Sequence, residues 1–191
     1  MTRFSDLFEY RQSSQRIWVD CSGCNPIDEM DRYCQLFHSH DCCVAVLDDS
    51  PGALISNISV MENLWLPQAW PGGLSLKKFR TQFDELVTAL LPILPESLHD
   101  LIDLTNIKPG MLSVHQRKLV VLMRAALMKP ELLLIAPSWV SALTHPSDNL
   151  LSQAMHLSLY RATWLAFDEI NPSSNSLGTV WARADSLSLK G

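Results

Sequence analysis

The chain predicts an α/β fold, a mostly parallel sheet flanked by helices, on three observations. Residues 132–136 (LLLIA) are an unbroken apolar run of strand length with no alternation. That is the pattern of a strand buried on both faces of a parallel sheet. Residues 116–128 just before it contain neither Gly nor Pro, place Leu119, Leu122, Met123 and Ala126 on one face, and leave Arg117, Lys118 and Arg124 to reach water. Lys129-Pro130 stops this helix, because a residue preceding proline leaves the α region. Apolar runs of the same kind recur at 42–47 and 163–167.

The remaining elements follow in order. Residues 1–15 are a polar lead-in, 16–19 a short strand, and 20–26 (DCSGCNP) a turn. A helix over 28–37 puts Met30, Tyr33, Cys34 and Phe37 on one side. Ser59 caps a helix over 59–66, with Glu62 completing a capping box. A loop is expected over 67–73, then a helix over 75–91 with Phe79, Phe83, Leu86, Val87 and Leu90 on one face. Residues 92–95 break it, and 96–104 form a further helical piece. Ser113 is the N-cap of the helix at 116–128. Beyond 143 the sequence predicts a turn (144–146), a helix (147–159), the strand at 163–167, and one more strand or hairpin within 179–189.

The bulk composition bounds the function. The 191 residues suffice for one α/β domain with a core. Hydrophobic content of 47%, six Trp and a mean hydropathy of +0.07 point to apolar surface for a partner. A net charge of −5 speaks against broad nucleic-acid binding. The sequence has no apolar run of membrane-spanning length, and its first residues are too polar for a signal peptide. Five Cys, an odd number, favour a reducing cytoplasm over a disulfide framework.

The order Leu112-Ser113-x-x-Gln116-Arg-Lys, helix, Lys-Pro-Glu, apolar strand resembles the ATP-binding subunits of ABC transporters. In that family this stretch carries the LSGGQ signature, the Walker B strand and the D-loop. Leu112, Ser113 and Gln116 match the signature, with Val114 and His115 in place of its glycines. Ala136 stands at the Walker B Asp, Pro137 at the catalytic Glu, and Leu143 or Thr144 at the D-loop Asp. Laid on the P-loop pattern GxxxxGK[ST], Asp20 takes the first Gly, Asn25 the second, Pro26 the Lys and Ile27 the hydroxyl residue, with Ser22, Gly23 and Cys24 inside the loop. Asp48 stands at the Q-loop Gln, ahead of LISNISVMENL (54–64), and Asp168-Glu169 stand where the switch His would be.

The resemblance implies one P-loop-NTPase-like domain over 1–191, with residues 54–111 as an inserted helical subdomain and a truncated antiparallel subdomain. A P-loop holds phosphate through bare N–H groups, a Lys charge and a magnesium-binding hydroxyl. Pro26 and Ile27 supply none of these. The expectation is a non-catalytic subunit with no cofactor and no metal, held at the inner membrane by a permease or an intact sister ATPase. Trp65 and Trp70 are the expected contacts with that partner, as interface anchors are often aromatic. Two alternatives stay open. In one, the chain is an ATP-binding subunit lending Ser113 and Gln116 to a composite site. In the other, Cys21-x-x-Cys24 with its neighbouring Cys and His forms a zinc or redox module. A Ser-His-acid triad at Ser113 and His115 lacks the GxSxG elbow.

Overall fold

Five parallel strands in the order β2-β3-β4-β1-β5 form the framework: β1 (Arg16–Asp20), β2 (Val44–Leu47), β3 (Leu132–Ile135), β4 (Thr163–Asp168) and β5 (Ala182–Asp185). A computed structural model describes residues 15–50, 53–93, 106–144, 149–169 and 182–185. Six helices accompany the strands: α1 (Pro26–His38), α2 (Val60–Gly72), α3 (Leu76–Leu90), α4 (Val114–Met128), α5 (Pro137–Thr144) and α6 (Asn149–Leu159). No strand pair among the described residues is antiparallel.

Strands β1 to β4 send alternate residues into two separate cores, which is why 132–136 show no polar alternation. On one face Ile17, Val19, Leu132, Leu134, Leu165 and Phe167 meet α1 through Met30, Tyr33 and Phe37. Tyr33 and Phe167 pack edge-to-face at 5.1 Å and 77°, worth ~1 kcal/mol beyond their area. On the other face Trp18, Leu47, Leu133, Ile135 and Trp164 meet Leu119, Leu122 and Met123 of α4. Phe79, Phe83, Val87 and Leu90 of α3 join this second core at the expected helical spacing. Each such burial is worth about 2 kcal/mol relative to exposure.

Two expectations are corrected. Residues 67–72 are helical, because α2 runs through Pro67 to Gly72. Proline removes one N–H but holds a helix-compatible φ, so it did not set the end here. Gly73 did: at φ 58 its N–H donates to the Ala69 carbonyl (3.1 Å) and the Leu74 N–H to that of Gln68 (3.4 Å). The start of α2 is pinned by buried Asn63, whose side chain both donates to and accepts from the backbone of Ile55 (2.9 and 2.7 Å). Secondly, Thr144, expected in a turn, is the last residue of helix α5. The Ala136 carbonyl accepts from the N–H of Val140 at 3.1 Å, so β3 passes at once into a helix with Pro137 as its first residue. The helical piece expected at 96–104 and the turn at 145–146 lie outside the described residues. Of the last segment, 182–185 is a parallel edge strand beside β1.

Candidate functional site

Parallel α/β sheets present ligand sites at the carboxyl ends of their strands. At that edge β1 ends in Asp20 and passes through 21–25 into α1, so Pro26 is the first helical residue and Ile27 the second. The resemblance placed a phosphate loop at 20–27, and the donors of such a loop are only partly present. Asn25 caps the helix, its Oδ1 accepting from the Ile27 N–H at 2.9 Å, and Pro26 has no N–H. Asp28 and Glu29 occupy the first turn, where their charge already complements the helix dipole. Glu29 is buried and paired with Arg32 at 2.8 Å. Ile27 stands 40% exposed at the mouth.

The surrounding edge is acidic. Asp168, Asp20 and Asp185 lie in register on the adjacent strands β4, β1 and β5. Asp20 Oδ1 accepts from the Ser22 N–H at 3.0 Å, and Oδ2 pairs with Arg183 at 2.5 Å. The Ser22 N–H, and with a smaller effect Arg183, hold the Asp20 carboxyl below the usual range. Arg183 also lies over the Trp18 ring at 5.6 Å, and Trp18 Nε1 donates to the Asp168 carbonyl at 3.0 Å. The Asp168 carbonyl also accepts from the Cys21 N–H at 3.0 Å, tying the loop to the end of β4. Sequence reasoning missed the Asp20–Arg183 pair, which joins residues 163 positions apart.

The start of α4 lies elsewhere along the same edge. Ser113 and Gln116 form a reciprocal capping box: the Gln116 N–H donates to Ser113 Oγ (3.2 Å) and the Ser113 N–H to Gln116 Oε1 (2.9 Å). Leu112 is buried, His115 is exposed, and Val114 stands 67% exposed beside Met111. Lys118 reaches from this helix to Asp49 at 3.5 Å and over the Trp139 ring at 5.7 Å. Asp48 accepts from the Ser50 N–H at 3.1 Å. Asp48, Asp49, Val114, Arg117 and Lys118 line a cleft of about 180 Å³. Asp48 is thus brought to the signature residues, whereas β1 and its loop stand three strand spacings from β2, roughly 14 Å. At the Walker B positions, Ala136 is buried with its N–H on the Leu47 carbonyl (3.0 Å). Leu143 and Thr144 lie in the last turn of α5.

Trp65 is half-buried and donates from Nε1 to the Leu74 carbonyl at 2.9 Å; the Trp70 side chain lies outside the described residues. No group of three His, Cys, Asp or Glu among the described residues is placed to hold a metal ion. No helix among them is long and apolar enough to cross a membrane.

No family model and no curated protein matches the chain. Solved structures do. The dimeric ATP-binding cassette MJ0796, in a post-hydrolysis state bound to ADP and Pi, matches over 74% of this chain and 59% of its own, with 21% identity and a TM-score of 0.51. The cbiO1 protein of Clostridium perfringens, part of the ABC transporter complex cbiONQ, matches over 65% of this chain and 46% of its own, with 20% identity and a TM-score of 0.45. A nucleotide-free cassette from an ABC transporter matches over 80% and 59%, with 19% identity and a TM-score of 0.47. The chain therefore spans only 46–59% of the length of these structures. The superposition on MJ0796 and the all-parallel described sheet agree, and the chain has a parallel α/β fold similar to that of this ATP-binding cassette.

Proposed function

We propose that this chain is a non-catalytic relative of the cassette subunits, retained to pair with an ABC permease or an intact sister ATPase at the inner face of a membrane. The observation that carries this reading is the start of α1. The position that would accept phosphate is capped by Asn25, lacks the N–H and charge that Pro26 cannot supply, and follows a strand end where Asp168, Asp20 and Asp185 stand in register. The residues present do not fit a magnesium nucleoside triphosphate. A polyphosphate would displace the Asn25 cap and lie against carboxylates. Ala136 and Pro137 offer no oxygen side chain for a metal or an attacking water.

Titration calorimetry of the full chain with MgATP at millimolar concentration tests this. The expected result is no saturable heat and no released phosphate; a dissociation constant in the micromolar range overturns it. Pro26→Lys alone is expected to restore neither, because the phosphate lysine acts only with its partners. The composite-site alternative draws no support from α4, since Ser113 and Gln116 are engaged with each other and the exposed Val114 stands where a glycine would let phosphate approach.

For the partner surface we look to the unit built by α2 and α3. Leu66 and Leu76 stand 38% and 41% exposed on either side of the turn that Trp65 closes. Leu66→Asp with Leu76→Asp is expected to weaken co-purification with a permease or sister ATPase by about 2 kcal/mol, roughly thirtyfold, with the melting temperature kept. Unchanged co-purification removes this surface from the proposal.

A further inference from the structure

Cys21 and Cys24 are the two ends of the turn that leaves β1. The Cys24 N–H donates to the Cys21 carbonyl at 3.1 Å. A hydrogen-bonded turn holds its end Cα atoms within about 7 Å, and a disulfide spans Cα atoms about 4.4–6.8 Å apart. The Cys21 thiol donates to the Val19 carbonyl at 3.5 Å. The two cysteines differ in access. Cys21 is fully buried, in the core with Val19, Tyr33 and Phe167, while Cys24 is half-buried and opens to solvent. The other three cysteines do not share this arrangement: Cys34 lies within α1, and Cys42 and Cys43 precede β2, three strand spacings from β1.

We propose that Cys21 and Cys24 are a reversible dithiol–disulfide site whose oxidant is a low-molecular-weight disulfide. The accessible Cys24, as thiolate, attacks one sulfur of the small disulfide. One Cys24–S bond forms, the small S–S bond breaks, and the first small thiolate leaves and takes up a proton. The Cys21 sulfur then attacks Cys24, the mixed disulfide breaks, and the second small thiolate departs with the Cys21 proton. Two protein thiols are oxidised and one small disulfide is reduced to two thiols. Burial, and then the neighbouring Cys24, push the Cys21 thiol up to about 12, so Cys21 is not the thiolate that makes the first attack. The bond would clamp the end of β1 to the residue just before the α1 cap. This inference stands whether or not the loop takes nucleotide.

The test is incubation of the full chain with oxidised glutathione, followed by thiol counting and peptide mapping. Two of the five thiols are expected to disappear together as a Cys21–Cys24 link, and dithiothreitol to return both. Cys24→Ser is expected to leave Cys21 reduced, and Cys21→Ser to stop at a mixed disulfide on Cys24. Because Cys21 is buried, the second variant can lose its fold, and the mapping and Cys24→Ser then decide alone. A pair that stays reduced while exposed Cys43 is oxidised overturns the proposal. So does a single mixed disulfide on Cys24 of the unaltered chain that never resolves.

Discussion

Two of the helices that start at the carboxyl edge of the sheet, α1 and α4, close their first turns differently. At α1 one donor is missing at Pro26, one is taken by Asn25, and two acidic residues follow. At α4 Ser113 and Gln116 close two donors in a reciprocal box, with no acid in the first turn and with Arg117 and Lys118 just beyond. Each start thus spends part of its backbone donors on its own capping side chain. Helix geometry supplies anion-binding capacity only where the sequence leaves such donors unspent. On the function proposed above, the frame persists while its chemistry is closed off locally.

The largest test of this contrast removes the core beneath a helix and leaves its cap alone. Leu122→Ala in α4 is expected to cost about 3 kcal/mol in denaturant unfolding, because the side chain is fully buried. Val114→Ala, on the exposed first turn of the same helix, should cost less than about 0.5 kcal/mol. Similar costs for the two would mean that α4 is not held by its packed face.

The caps come next in size. Ser113→Ala is expected to lower stability by about 1 kcal/mol, since it breaks one arm of the box. Asn25→Ala should cost nearer 0.5 kcal/mol, because Pro26 leaves one donor fewer to satisfy and keeps φ set for the helix. Paired thermal melts would show this ordering. A larger loss at Asn25 would show that the α1 start depends on its cap more than on proline.

The smallest expected effect concerns acid. The Ser22 N–H first, and Arg183 after it, hold the Asp20 carboxyl below its ordinary value of about 4. A depressed folded pKa means that this contribution is present above about pH 4 and is lost as the pH falls through the folded value. Asp20→Asn should therefore remove that contribution at neutral pH and flatten the acid limb of stability against pH. An unaltered acid limb would leave the Asp20–Arg183 pair without a measurable role.

The sequence by itself determined much of this protein. The unalternating strand at 132–135, the capping box at Ser59, the N-cap at Ser113, and the α3 face of Phe79, Phe83, Val87 and Leu90 were all legible, because each is a local pattern set by short-range geometry. Only the tertiary structure decided the rest. Pro67 suggested a loop, but Gly73 with the Trp65-to-Leu74 hydrogen bond closes the helix later. The row of Asp168, Asp20 and Asp185, and the Arg183 that answers Asp20, arise from strand order and register. Those are properties of pairing between distant segments, and no window of sequence contains them.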